Sequence, residues 1–246
     1  MQISVSKKVK RKGVKTWKKS VISTILIFLF AIVSTAILVN VRRQSLMFEE
    51  QYFYFVSVCK SNKKTDFEAK KELLKNLGGA SVVYKLNGEF HLLANVYLDL
   101  NYASEIKDNL SSYFSDASVV KVKTKKVKGN VRKKIKRNKE VESFLKFMYG
   151  LSKDFLTLEL EYLSGKISDG KFLSNVSTKR LELEKMNNNL QASDDLTKHI
   201  LGFVELFLLQ MTNFLTNFSL YQSKQNYICN YFVGFFVNYI ELCDSL

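Results

Sequence analysis

The chain has 246 residues, of which 46% are hydrophobic, 38 are Lys or Arg, 23 are Asp or Glu and none is proline. This length and apolar fraction exclude a disordered polymer and allow one large domain or two small ones. The net charge of +15 comes from two segments without acids, since residues 1–20 hold eight Lys or Arg and residues 121–139 hold eleven. The remaining residues carry a net charge of −4, which argues against a nucleic-acid-binding surface on a folded domain.

The first element is an uncharged apolar segment at residues 21–41, with basic residues on both sides. At about 1.5 Å per helical residue it is long enough to cross a hydrocarbon core of about 30 Å. A cleaved signal peptide is the alternative, because Ser34 and Ala36 have the small-x-small spacing of a cleavage site, but the apolar region of a signal peptide is usually shorter. We therefore predict a single transmembrane helix.

The distribution of Lys and Arg around this helix predicts its orientation. Eight of these residues precede the segment and two follow it closely, so the basic tail, residues 1–20, should stay in the cytoplasm. The chain is then a single-pass protein of the cytoplasmic membrane, and everything after residue 41 is extracytoplasmic. The tail needs no role beyond setting this topology; binding of anionic lipid or nucleic acid is the alternative.

Residues 51–128 have the pattern of a small α+β domain. The segment 51–60 is rich in aromatic and β-branched residues, which predicts a strand. A helix over 66–77 should follow, because Thr65 and Glu68 have capping-box spacing and the glycines at 78–79 favour a helix end.

The second half of this domain begins with a hairpin. Asn87-Gly88 is the dipeptide that best tolerates positive φ in a two-residue turn, and it separates predicted strands at 80–86 and 89–97. Asn101 is positioned to cap a second helix, and a last strand is predicted at 118–123. The order βαββαβ predicts a ferredoxin-like antiparallel sheet with both helices on one face and the other face free to bind a ligand.

Two sequence stretches in this domain carry a family resemblance. They are Val56-Ser57-Val58-Cys59 followed by Ala69, and the run from Phe90 to Tyr97 followed by Ala103. The segment 51–128 resembles the sporulation-related repeat, or SPOR, domain, with Ser57 in place of a motif glutamine and Cys59 and Asn95 in place of two glycines. The resemblance implies binding of peptidoglycan glycan strands that lack stem peptides, at the septum in cell division or sporulation.

The same alignment turns four apolar residues toward the helices and places five residues on the open sheet face. The helix-facing residues are Val56, Val58, Leu92 and Ala94, and the candidate ligand-binding residues are Phe53, Phe55, Ser57, His91 and Lys121. Aromatic rings stack on the C–H face of a sugar while short polar groups bond its hydroxyls. Two alternatives stay open: the two phenylalanines pack against the C-terminal region, and the histidine is an ordinary surface residue.

A basic linker is predicted at residues 129–139, because the like charges of the run 121–139 keep it extended or make it a surface-exposed strand and helix entry. Outside the cell it could attract phosphate-bearing wall polymers or lipid headgroups, and in the cytoplasm it would fit nucleic acid. A solvated linker without a ligand is the remaining alternative.

The C-terminal region, residues 140–246, shows apolar residues at helical spacing in four segments. These segments lie at 141–162, 172–190, 196–218 and 227–239, with short joints between them, and predict a four-helix bundle. Polar residues interrupt 201–220, so we predict no second membrane span. The aromatic stripes are typical of a core, but the run at 231–239 exceeds the needs of one buried face, and a partner or membrane-surface contact is the alternative.

No catalytic motif appears, and Glu159 and Glu161 read as solvated-face carboxylates, so we expect a non-enzymatic protein. The three cysteines and two histidines lack metal-site spacing, so we expect no metal or other cofactor. The leading hypothesis is an envelope protein that binds septal glycan and contacts a protein partner through its helical domain, with no nucleic-acid partner. The alternatives are a divisome, secretion or pilus assembly component and, with reversed topology, a tethered nucleic-acid binder.

Overall fold

The computed structural model of the chain describes residues 32–35, 46–86, 88–128, 135–190 and 195–246. The predicted tail, 1–20, lies outside the described residues, and so does the predicted transmembrane segment, 21–41, except for residues 32–35, which are helical. Contacts divide the chain into Met1–Ser45 and Leu46–Leu246. The second unit is described below by itself.

A four-stranded antiparallel sheet confirms the four predicted strands. Its strands are β2 (Tyr52–Ser61), β3 (Val82–Leu86), β4 (Glu89–Tyr97) and β5 (Ser118–Lys123), in the spatial order β3-β4-β2-β5. The turn between β3 and β4 contains Gly88 at φ 93°, the left-handed region that glycine enters without steric cost. The prediction of a tight turn is confirmed at this glycine, and Asn87 lies outside the described residues.

Two helices cover one face of this sheet, as predicted. They are α1 (Glu68–Asn76) and α2 (Leu100–Leu110). The cluster beneath them contains the four predicted helix-facing residues together with helix residues such as Leu74 and Ala103. The pairing of β2 with β4 is irregular between Val56 and Cys59, and both Val58 and Cys59 belong to this cluster.

Both predicted helix caps are wrong. Thr65 lies in a 3₁₀ turn, Lys64–Phe67, and no side chain caps the start of α1. At α2 the cap is Asp99 rather than Asn101, because the carboxylate of Asp99 accepts a hydrogen bond of 2.9 Å from the backbone N–H of Tyr102. An acceptor at this position satisfies one of the free amides of the first turn.

Four long helices form the C-terminal region: α3 (Ile135–Leu163), α4 (Asp169–Asn189), α5 (Asp195–Asn217) and α6 (Lys224–Ser245). Helix α3 packs against α4 and α6, and α5 packs against the same two helices. The helix α3 begins within the segment 129–139 that was predicted to be a linker, and residues 129–134 lie outside the described residues.

A two-stranded antiparallel ribbon was not predicted. It pairs β1 (Leu46–Phe48) with β6 (Val127–Lys128), and α3 contacts β1. Phe48 is buried, and its ring meets that of Tyr149 edge-on at 6.3 Å. The ribbon therefore connects the segments just before β2 and just after β5 to the helical region.

Helix α6 covers the sheet face opposite α1 and α2. It packs on β4 and β3, and hydrogen bonds fix its start, since Asn230 Oδ1 accepts from the N–H of Ser81 at 2.9 Å and Asn226 Nδ2 donates to the carbonyl of Gly79. Phe53, Phe55 and residues of all four long helices belong to one hydrophobic cluster. The two predicted regions, 51–128 and 140–246, thus share a core.

Candidate functional site

The predicted glycan-binding face is covered. Phe53 and Phe55 are both 0% exposed, and the Phe53 ring lies edge-on to Phe236 at 5.3 Å and to Tyr239 at 6.0 Å. The prediction of a free sheet face is therefore wrong, because α6 occupies it. The two rings instead pack against the C-terminal region, as the alternative interpretation predicts.

Ser57 and His91 are brought together, but inside the protein. They are 1% and 5% exposed, and Ser57 Oγ lies 3.0 Å from His91 Nδ1. Since Ser57 donates its single hydroxyl proton to the carbonyl of Cys59 at 3.1 Å, the proton of this imidazole belongs on Nδ1. Burial lowers the pKa of His91. The side chain is buried and its Nδ1 atom is hydrogen-bonded within the protein, so neither the ligand-contact nor the surface-residue interpretation of His91 holds.

Lys121 is exposed but lies on the other face of the sheet. In the antiparallel register it is opposite Tyr54, while Phe53 is opposite Val122. Directly paired residues share a face, so Lys121 is on the side of α1 and α2. Its ammonium group lies 4.3 Å from the centroid of the Tyr52 ring. The five predicted site residues therefore do not form one surface.

A buried polar cluster centred on Glu159 was missed. The carboxylate oxygen Oε1 accepts hydrogen bonds from Asn95 Nδ2 at 3.0 Å and from Cys229 Sγ at 3.4 Å. The same Asn95 amide lies 3.0 Å from the hydroxyl of Tyr97. Glu159 is 0% exposed, so the prediction of a solvated carboxylate is wrong. The sequence contains one signal of this burial, because Glu159 stands four residues after Phe155 and three before Tyr162 and therefore lies within the apolar stripe of the helix.

Burial dominates the electrostatics of this cluster. It raises the pKa of Glu159 to about 7, although the hydrogen bonds from Asn95 and Cys229 act in the opposite direction. Among the described residues, the second carboxyl oxygen, Oε2, has no hydrogen-bond partner. Burial also raises the pKa of the Cys229 thiol, which disfavours the nucleophilic thiolate. The cluster joins β4, α3 and α6 through polar contacts.

The second candidate site is the outward face of α5, defined by six exposed residues: Lys198, His199, Gly202, Glu205, Leu206 and Leu209. Leu206 is 38% and Leu209 57% exposed, while the opposite side of the helix is buried. Among the described residues, Asp195–Leu220 is the one helix long and apolar enough to cross a membrane, and 28% of its most apolar window is buried. Length and composition alone are weak evidence for a span, and the prediction of one span stays a prediction.

No protein-family model matches the chain, and no curated protein or solved structure is significantly similar to it. The SPOR resemblance therefore stays a prediction.

Proposed function

We propose that this chain is a membrane-anchored, non-enzymatic assembly component of the cell envelope that pairs with a second copy of itself through the outward face of α5. The anchor is the apolar segment 21–41, with the N-terminus inside and the unit Leu46–Leu246 outside. The strand order and directions favour a ferredoxin-like sheet, and the contacts of α3 to α6 favour a four-helix bundle.

The charge pattern of the outward face is the observation that carries this proposal. Lys198 and Glu205 are exposed, opposite in charge and seven residues apart, so they lie on the same side of the helix with Gly202 near their midpoint. When two copies cross antiparallel at Gly202 about a two-fold axis, each Lys198 meets Glu205 of the second copy. A surface of this kind is complementary to itself.

The apolar residues of this face support the same contact. Among the described residues, no heavy atom other than those of the adjacent residues and the surrounding backbone of α5 lies within 4 Å of the position that a Cβ atom would take on Gly202, so a second helix can approach there closely. Leu206 and Leu209 flank the crossing and would lose their exposed area to the partner. Exposed ion pairs contribute only about 0.2–1 kcal/mol each, so the pairing should be weak for free units and promoted by the effective concentration that the membrane anchors create.

Charge exchange tests the pairing. Lys198→Glu or Glu205→Lys alone puts like charges opposite each other twice per dimer, and each should weaken dimerisation about tenfold. The double variant Lys198→Glu/Glu205→Lys restores both pairs and should return the dissociation constant to within about threefold of the original. Sedimentation equilibrium of the full chain in density-matched detergent measures these constants.

Lys185→Glu is the matched control, because Lys185 is an exposed lysine of α4 outside this face. It should leave the dissociation constant unchanged. A double variant as weak as the single variants, or a chain that stays monomeric at every concentration and in membranes, would refute self-pairing.

Glycan binding through the sheet, which the SPOR resemblance implies, has less support. It would need Phe53 and Phe55 at the surface, and both lie under α6. We therefore expect the full chain to be retained equally, at background level, by sacculi before and after amidase removes the stem peptides. Enrichment on the denuded glycan would instead support glycan binding as the main function.

A further inference from the structure

A cavity of about 370 Å³ lies beside the Glu159 cluster. It is bounded by the end of α1, by α2, by the end of α3 and by the start of α6, and it sits over β4. Its rim is built tightly, because the side chain of Gln225 lies 2.5 Å from the position that a Cβ atom would take on Gly78. The volume falls within the range of small-molecule sites, about 300–1,000 Å³.

The lining is mostly apolar and includes an aromatic corner. Tyr97 and Tyr102 meet edge-on at 5.1 Å, and aliphatic side chains such as Ile106 and Leu163 form further walls. Tyr102 is 38% exposed and Leu163 37%, so this corner can be reached from solvent. A flat ring placed here gains edge-to-face contacts as well as burial of apolar surface.

The polar groups of the lining are neutral. They include the amides of Asn95, Asn109 and Gln225 and the thiol of Cys229, and no charged side chain is among the described lining residues. The carboxyl group of Glu159 lies directly behind the Asn95 amide and the Cys229 thiol. An anionic ligand would lose its hydration without a compensating cation.

We propose that this cavity binds an uncharged aromatic compound of one or two fused rings. The ring lies in the tyrosine corner between the aliphatic walls, and a polar substituent meets the amides of Gln225 and Asn109 at the mouth. This binding is independent of the pairing through α5, because none of the six residues of the α5 face lines the cavity.

The test uses two probes that differ in charge but not in shape: indole-3-acetamide, which is neutral, and indole-3-acetate, which is an anion. The full chain in detergent micelles carries a trifluoromethyl label on Ser164→Cys, an exposed position at the cavity rim, and fluorine NMR follows its chemical shift. The amide should shift this signal saturably, with the acetate at least about tenfold weaker. The same label on Thr216→Cys, an exposed position of α5 that does not line the cavity, should respond to neither probe.

Blocking variants locate the probe. Leu163→Trp and Asn109→Trp each place a large ring at the mouth and should weaken the amide at least about tenfold. Leu181→Trp, at a leucine that is 49% exposed on α4, is the matched control and should change nothing. Circular dichroism checks the fold of each variant. No saturable shift with the amide, equal binding of both probes, or full binding by both folded blocking variants would overturn the proposal.

Discussion

The buried carboxyl group of Glu159 should make the stability of the protein fall as the pH rises. Its pKa is raised by burial from 4.5 to about 7. Between these two values the folded chain keeps the proton while the unfolded chain has lost it. The free energy of unfolding then decreases by about 1.4 kcal/mol per pH unit, which amounts to about 3 kcal/mol between pH 4 and pH 8.

The substitution Glu159→Gln isolates this contribution. Glutamine keeps an acceptor for the Asn95 amide but does not ionise, so the difference in unfolding free energy between wild type and variant should change by about 3 kcal/mol between pH 4 and pH 8, in favour of the variant at high pH. The buried His91 has a lowered pKa and therefore contributes stability that grows as the pH rises toward 6.5. This contribution cancels in the difference, because both proteins contain His91.

Urea unfolding of the full chain, followed by circular dichroism at 222 nm, measures the difference. Fluorescence is unsuitable, because the single tryptophan, Trp17, belongs to the unit Met1–Ser45 rather than to Leu46–Leu246. Glu72→Gln, at an exposed position of α1 outside the α5 face, controls for the loss of one carboxylate from the net charge. A wild-type minus Glu159→Gln difference that stays constant from pH 4 to pH 8 would refute the burial of this group.

Three further predictions address the packing, the caps and the topology. Phe53→Ala should lower the unfolding free energy by about 3–5 kcal/mol, because it empties a fully buried ring site under α6; a loss below about 1 kcal/mol in urea unfolding would mean that the sheet face is open. Asp99→Ala should cost about 1 kcal/mol and Asn101→Ala less than about 0.5 kcal/mol in the same assay, and the reverse order would contradict the observed cap of α2. A topology reporter fused after Leu246 should report an extracytoplasmic location, and a cytoplasmic signal would reject the envelope role.

Local signals predicted the elements of the sheet domain well. The Asn87-Gly88 turn and the alternation of apolar residues in 118–123 depend on neighbours in the chain, and strands formed on both sides of the turn and at 118–123. The caps failed because several polar residues near a helix start compete for the same amides, and only the backbone geometry selects Asp99. The ribbon of β1 and β6 is too short to give a periodic pattern.

The cover of the sheet depends on a long-range contact that no local pattern specifies. The aromatic stripes predict a core, and only the excess in the run 231–239 favours a contact with a partner or a membrane surface. The structure instead buries it on two sides, with Phe236 and Tyr239 against the sheet and Phe232 and Phe235 against α3. Apolar residues beyond those needed for one buried face predict that the helix has a second contact surface. They do not specify whether that surface is covered by the same chain or by another molecule.

The Glu159 cluster could be predicted only in part, for the same reason. A carboxylate within the apolar stripe of a helix indicates a buried charge, and a buried charge requires hydrogen-bond partners. The partners come from β4 and α6, which lie 64 and 70 residues away in sequence. Their identity depends on how the helical region docks on the sheet.

Cysteine cross-linking in native membranes tests the proposed self-pairing most directly. The three natural cysteines are buried, so Gly202→Cys introduces an accessible thiol at the proposed crossing, and a short bismaleimide should link two copies there. Thr216→Cys is the matched control: it is exposed on the same helix, but its two copies would lie about 40 Å apart in the antiparallel pair. Self-pairing through this face predicts a covalent dimer with Gly202→Cys and none with Thr216→Cys. Equal cross-linking at both positions, or none at Gly202→Cys, would contradict it.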